Sequence, residues 1–327
     1  MLKASDKRGD ATRAGSQALT LLSAPLDGEI LKALLEGPRE LLDLRRAVGS
    51  PPQSTMRVYT RTLAEIGVLE RRRQNEFPST AEYSITPAGQ TLVALGAVLE
   101  AWLQTAPDGP LILGSVAGKS ATKALIGGWS ATIVRALSAR SLTLTELNML
   151  IPRISYPSLE RRLGAMRLAK LIEAQPGNGR GVPYRATEWL RHAVAPIAAA
   201  ATWEQRFLLE PEAQIGRLDV EAAFLLAVPL LKLGAKVNGR CRLSVELRGA
   251  GAPTFAGVVV TIGDGVVTSC TSRIDGDVDA SATGTAAAWM QQMAGPSQGR
   301  LETSGDFSLA DAISNGLQAI PAGPALN

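Results

Sequence analysis

The feature that most constrains this 327-residue chain is an internal repeat. Setting Ile30 against Ile133 aligns ILKALLEGPRELLDL with IVRALSARSLTLTEL, and the same offset lays LAEIGVLE (from Leu63) on MRLAKLIE (from Met166). The offset then shortens by two. YSITPAG from Tyr83 falls on YRATEWL from Tyr184, and EAWLQ (Glu100–Gln104) falls on ATWEQ (Ala201–Gln205), so Trp102 matches Trp203. Agreement sustained over about 85 positions with one small gap means that one structural unit occurs twice.

Each copy carries the same order of elements. A first helix (Ala18–Leu22; Ala121–Ile126) leads by a break into an apolar-periodic helix (Glu29–Leu35; Ala131–Ala139). A short helix follows (Glu40–Val48; Leu144–Leu150), then a polar turn, PPQS or PRISYPS, and a third helix (Thr55–Ile66; Ser158–Ala169). Apolar positions Met56, Thr60, Leu63 and Leu159, Leu163, Met166 recur at spacings of three and four, which gathers them on one helical face. Strand-like segments then flank an arginine-bearing loop, VLERRRQNEFPSTAEYSIT or LIEAQPGNGRGVPYRAT, and a long closing helix carries the tryptophan. Three helices and a two-stranded wing, with a short turn between the second and third helices, make a winged helix-turn-helix.

LIGGWSATIVRALSARSLTLTEL, with SLERRLGAMRLAKLIE, PYRAT and a closing Trp helix, resembles the HxlR-type winged-helix transcriptional regulators. The Gly127-Gly128-Trp129 lead into Ile133 is the most specific part, and the first copy reads as the diverged one. The resemblance implies operator DNA as partner and dimeric action, with one winged helix per half-site. Two units in one chain suggest an intramolecular pseudo-dimer on an imperfect palindrome, a homodimer carrying four units being the rival.

In such a protein the third helix enters the major groove while surrounding phosphate contacts fix its register. Its outward candidates are Gln53, Ser54, Thr55, Arg57 and Arg61 in the first copy, and Tyr156, Ser158, Arg161 and Arg162 in the second. Arg pairs with guanine edges and Gln with adenine, whereas Ser and Thr select less. The equivalent of Arg162 in the resembled family is often partly packed. The wing arginines Arg71, Arg72, Arg73 and Arg180 can reach phosphates or the minor groove. Charge agrees in sign. Residues 1–105 hold 13 basic against 12 acidic residues, 106–212 hold 13 against 8, and 213–327 hold 8 against 10.

The last third differs. After a helix in EAAFLLAVPLLKL come CRLSVELRG, a hairpin FAGVVVTIGDGVVTSCTSRI turning at Gly263-Asp264-Gly265, another strand, a helix TAAAWMQQMAG, and a final strand and helix. DVDASATGTAAAWMQQ followed by GRLETSGDFSLADAI resembles the sterol-carrier-protein (type two) fold, a small sheet backed by helices around an apolar tunnel. That likeness implies a hydrophobic small-molecule ligand. Phe224, Phe255, Trp289, Met290 and Met293 either line its pocket or form ordinary core. Asp306 reads as a helix cap. Asp275, Asp277 and Asp279 read as a solvated edge, because a calcium loop needs a longer ligand series ending in Glu.

One histidine (His192) and two cysteines (Cys241, Cys270) are too few for a Cys/His zinc site, and no nucleophile motif stands out. No cofactor or metal is expected, and no enzyme. No apolar run is long enough to cross a membrane, and the start lacks a signal-peptide core, so a cytoplasmic setting is expected. The run GSVAGKS resembles a Walker loop, but only three residues separate Gly114 from Gly118 where four are needed. It stands at the joint between the copies, with Ser120 as the expected cap of the next helix and a flexible joint setting the spacing of the recognition helices. The whole reads as α+β: an arm (1–15), winged helix 1 (16–105), a linker (106–117), winged helix 2 (118–208) and a sterol-carrier-like domain (212–322). The expected function is a ligand-responsive transcriptional regulator. The alternative is a carrier or sequestering protein whose winged helices serve as scaffold or dimerisation modules.

Overall fold

The structure, a computed structural model, describes residues 14–73, 81–127, 130–176, 181–208, 215–247, 254–295 and 300–320. The chain begins with α1 (Ser16–Ser23), α2 (Pro25–Leu35), β1 (Arg39–Glu40), α3 (Leu41–Ala47), α4 (Gln53–Glu65), β2 (Leu69–Arg73), β3 (Ala81–Ile85) and α5 (Pro87–Gln104). The strands form an antiparallel sheet in the order β1-β3-β2. Met56, Thr60 and Leu63 of α4 are buried with Ile30, Leu31, Leu34 and Leu44, as the three-and-four spacing predicts. This is a winged helix-turn-helix.

The same order follows in α6 (Val116–Ile126), α7 (Ser130–Ala139), β4 (Leu142–Thr143), α8 (Leu144–Leu150), α9 (Tyr156–Leu168), β5 (Ile172–Ala174), β6 (Pro183–Ala186), α10 (Glu188–His192) and α11 (Val194–Phe207). Repeat-equivalent positions pair alike. Arg39 faces Tyr83 as Leu142 faces Tyr184, and Leu69 faces Ile85 as Ile172 faces Ala186. Thr86 and Thr187 both donate their hydroxyls to the residue ending the third helix, Gly67 O at 2.7 Å and Lys170 O at 2.9 Å. Both hydroxyls then accept from the next helix, from Gly89 N and Leu190 N.

Two expectations about the second copy change. Its closing helix is not continuous: α10 ends at His192, and α11 restarts after Ala193. Pro196 sits within the first turn of α11, lacking the N–H that would bond the carbonyl of His192 and crowding that carbonyl with its ring. Secondly, Ser120 lies inside α6. The cap is Ser115, whose Oγ accepts from Gly118 N at 3.0 Å, so Gly118-Lys119-Ser120 is helical. Nor is the joint a loose tether. Leu111 N donates to Leu103 O at 3.0 Å, Leu111 and Leu113 pack on the core, and a Cβ at Gly118 would lie 2.4 Å from Ile112 O.

Helices α5 and α11 lie against each other, and α1 lies against α6 and α11. Trp102 Nε1 donates to Trp189 O at 2.9 Å, and Trp203 Nε1 donates to Ala88 O at 2.9 Å. Trp102 and Trp203 are repeat equivalents, as are Ala88 and Trp189. One contact is thus made twice, once in each direction. The Trp102 and Trp189 rings also stack, with centroids 4.4 Å apart, and Trp189 Nε1 returns a bond to Trp102 O at 3.0 Å. Across the same junction the buried Glu204 accepts from Gly15 N (2.6 Å) and Ala18 N (2.8 Å), satisfying the open N-terminus of α1.

The final part holds α12 (Arg217–Ala227), β7 (Gly239–Leu247), β8 (Thr254–Gly263), β9 (Val266–Thr271), β10 (Ala280–Thr285), α13 (Ala286–Ala294), β11 (Glu302–Gly305) and α14 (Phe307–Ala319). Sheet order is β11-β10-β7-β8-β9, with β10 parallel to β7 and the other pairs antiparallel. Asp264 and Gly265 turn the β8–β9 hairpin with φ of 52° and 76°, the double positive φ of a two-residue hairpin loop. Asp306 caps α14, accepting from Ser308 N (2.9 Å) and Leu309 N (3.2 Å). Helix α12 packs on α7 and α13 on α11, so the buried apolar residues run without interruption from the first unit to the last.

Asp27, in the first turn of α2, is buried, and burial pushes its carboxyl from 3.8 up to about 7. A raised acid pKa in the fold means that ionisation opposes folding. Stability from this group is therefore highest below about pH 4 and declines as pH rises to about 7. The helix N-terminus favours the charged form and trims the loss. Asp27→Asn is expected to raise stability at pH 8 by about 2 kcal/mol and to flatten the slope between pH 4 and 7. Urea melts of both proteins across that range measure it; a parallel slope in the variant would contradict it.

Candidate nucleic-acid interface

Helix α4 is amphipathic, its apolar side held by α2 and α3. The opposite side presents Gln53, Ser54, Arg57 and Arg61 to solvent, with Thr55 half-buried beside them. Arg61 stands 3.9 Å from Glu65, one turn on, whereas Arg57 has no ion pair among the described residues. No acidic residue occupies the first turn, so the partial positive charge of the helix N-terminus is left uncompensated. The turn ahead of α4 is fixed by Arg45, which nothing in the repeat pattern singles out. Its Nε donates to Pro51 O at 2.7 Å, while Ser50 N donates to Arg45 O at 2.8 Å with Ser50 at φ 59°. A basic residue in the last turn of α3 was the available signal.

In α9 the predicted residues separate. Tyr156 and Arg161 are exposed, and Ser158, half-buried, accepts the Ser155 hydroxyl at 2.9 Å. Arg162 faces inward instead. Its guanidinium donates to Ala124 O (2.8 Å) and Lys123 O (3.3 Å) near the end of α6, and burial lowers its pKa. It holds α9 against α6, and a base contact from that position would require breaking both bonds. Arg153, in the turn before α9, and Arg167, in its last turn, are exposed and were not predicted.

On the wing, Arg71 and Arg72 of β2 are exposed, but Arg72 is engaged with Glu70 through two bonds, 3.1 and 3.2 Å. The Arg73 side chain, Arg180 and the Gly128-Trp129 pair lie outside the described residues, as does the arm before residue 14. The exposed set comprises a polar face on α4 and basic side chains on α4, α9 and β2, residue types that in winged helices contact base edges and phosphates. The family profile described as HxlR-like helix-turn-helix matches residues 24–108, which span α2 to α5. Residues 24–108 are an HxlR-type helix-turn-helix domain. The match falls on the first copy, the one expected to be diverged.

Two curated relatives are similar over the same kind of length. Each is an uncharacterized HTH-type transcriptional regulator YtfH, one from Escherichia coli K12 and one from Shigella flexneri, and each is 33% identical over 75 residues. That stretch is 23% of this chain and 60% of each relative, so the chain spans about three-fifths of their length. Among solved structures, YtfH of Salmonella typhimurium is 29% identical over 27% of this chain and 78% of its own, with a TM-score of 0.25. The reduced transcriptional regulator YodB of Bacillus subtilis is 24% identical over 28% and 92%, with a TM-score of 0.27. At those scores the two structures add nothing to the family match.

The predicted ligand-pocket residues also separate. Phe224, Trp289, Met290 and Met293 are fully buried; Phe224 meets the Trp289 ring edge-on at 4.8 Å, and Trp289 Nε1 donates to Ser244 O at 2.8 Å. They are core between the sheet and its helices. Phe255 is 47% exposed, on the opposite face of β8 from Ala256 and Val258, and does not join them. The β-strand period of two puts it outside. His192 stands on α10 with Glu188 3.8 Å away, as a helix-surface histidine.

Proposed function

We propose that the chain is a DNA-binding transcriptional regulator with two winged helices, acting as its own dimer on an imperfect palindrome. One observation carries the reading: the swapped tryptophan bonds, Trp102 to Trp189 O and Trp203 to Ala88 O. Contacts made once in each direction between equivalent positions are the mark of an isologous, two-fold interface, here within one chain. Two-fold related recognition helices meet half-sites about one helical turn (~34 Å) apart. Differences between the exposed residues of α4 and α9, such as Gln53 against Tyr156 and Arg57 against Glu160, make the half-sites unequal.

In this proposal the C-terminal part is the sensor, a sterol-carrier-like domain for a hydrophobic molecule. A five-stranded sheet backed by helices and a Met- and Trp-bearing core support it. A ligand there must part the Phe224–Trp289 contact. The displacement is coupled to the second winged helix through Glu221, which is ion-paired with Arg135 of α7 and accepts from Arg217, and through Arg191, which donates to Leu225 O at 2.9 Å.

A gel-shift titration on DNA from upstream of its own gene tests the DNA reading. Binding is expected to be sequence-specific and to weaken steeply with salt. Arg57→Ala with Arg161→Ala is expected to cost about 2–5 kcal/mol of specific binding and to lessen the salt slope. Salt-insensitive binding, or affinity unchanged in the double variant, contradicts it. A chain that binds long-chain lipids but no specific DNA is the carrier.

A further inference from the structure

A cleft of about 740 Å³ opens between the joint (residues 106–111), α6, the second half of α9 and Trp189. Its walls are apolar: Leu111, Ala121, Ala124, Ala165, Leu168 and the Trp189 side chain. Leu168 is 80% exposed, an unusual position for a leucine unless something covers it. Three cations line the same space, Lys123, Arg162 and Lys170, against one carboxylate, Asp108. Lys170 Nζ lies 3.0 Å from Asp108 Oδ2, so that pair is neutral and Lys123 gives the cleft a net positive charge.

The repeat shows that this is not a property of the scaffold. Where the second copy has Ala124, Ala169 and Trp189, the first has Leu21, Ile66 and Ala88. Where the second has Lys123, Arg162 and Lys170, the first has Thr20, Tyr59 and Gly67. Smaller residues on two walls open the space, and every cation is particular to this copy. The Lys170 backbone is telling. Both copies end the third helix in a left-handed residue, but the first uses Gly67 (φ 85°) and the second uses Lys170 at φ 57°. A side chain there costs about 1 kcal/mol that glycine avoids, and such strain gathers at functional sites.

We infer that the cleft is a binding site for a small monocarboxylate with an apolar body, the body between α6 and α9 and the carboxylate against Lys123 and Lys170. The volume lies within the range of small-molecule sites, and an apolar chamber with a few charged groups at one side fixes a ligand's orientation. An uncharged molecule of the same shape leaves the lysines unanswered; a dianion exceeds the single positive charge that Lys123 and Lys170 keep once Asp108 is counted. Because α9 forms one wall, occupancy favours one placement of that helix against α6. Binding itself stands apart from the proposed function, while any effect on operator affinity rests on it.

Calorimetric titration of the full chain with octanoate, cyclohexanecarboxylate and 4-tert-butylbenzoate, each beside its primary amide, tests this. At least one acid is expected to bind, at least tenfold more tightly than its amide. Lys123→Ala with Lys170→Gly is expected to weaken it at least tenfold; glycine suits the left-handed position, so the fold survives. Ala165→Leu, at an exposed helical position, fills the cleft and is expected to abolish binding. No binding by any of the three acids overturns the site. So does equal binding of acid and amide, or binding untouched by Ala165→Leu, which would place the ligand in the C-terminal part. If acids bind but operator affinity does not change, the site stands and only its link to regulation fails.

Discussion

Trp102→Ala and Trp203→Ala are each expected to lower stability by about 3–5 kcal/mol, the range for removing a buried aromatic from a close-packed core. Both side chains are buried where α5 and α11 meet, and each carries the indole bond that crosses from its own copy to the other. Phenylalanine separates bulk from bond. Trp102→Phe and Trp203→Phe keep most of the buried area but strip the donor from Trp189 O and Ala88 O, which should cost about 1–3 kcal/mol. The two are not equivalent in every respect: the Trp102 ring also stacks on Trp189 with centroids 4.4 Å apart, whereas Trp203 meets Phe207 at a tilt, 5.7 Å away. Trp102→Ala should therefore be the worse of the pair. Chemical denaturation measures all four. If either alanine variant melts like the unaltered protein, the closing helices are not what joins the copies.

Arg135→Ala is the second large effect, expected at about 2–3 kcal/mol. Glu221 has no exposed surface, and its carboxylate is answered by Arg135 from α7 and by Arg217 one turn earlier on α12, the latter at 2.8 Å. Removing Arg135 leaves the buried carboxylate with Arg217 as its one partner among the described residues, and Arg217 is itself more than half exposed. The reverse deletion, Glu221→Leu, should cost less, about 1 kcal/mol, because both arginines can turn to water and leucine fills the space. The order of the two losses is the discriminating result. If Glu221→Leu is the more damaging, the carboxylate is held by something other than these arginines.

The fold was legible to the extent that it is local. Helix periodicity placed Met56, Thr60, Leu63 and Leu159, Leu163, Met166 on buried faces, and α8 occupies the predicted Leu144–Leu150. The repeat offset gave β-register as well, since Tyr83 and Tyr184 take equivalent partners. What failed depended on distant neighbours. Arg162 reads as an outward cation on α9 but faces carbonyls about 38 residues away on α6. Ser120 suits a cap by composition, but α6 starts a turn earlier, where Ser115 Oγ accepts from Gly118 N. Met and Trp in an apolar helix look the same whether they surround a tunnel or close it. The swapped indole bonds span 87 and 115 residues, beyond any periodicity.

The measurement closest to the central claim is the mass of the complex on DNA. Native mass spectrometry of the chain bound to a minimal operator, selected from a random pool, counts chains per site directly. One chain on one imperfect palindrome, with unequal half-sites about ten base pairs apart, is the predicted result. Two chains on a palindrome of equal half-sites would contradict it, and the paired winged helices would then belong to different molecules.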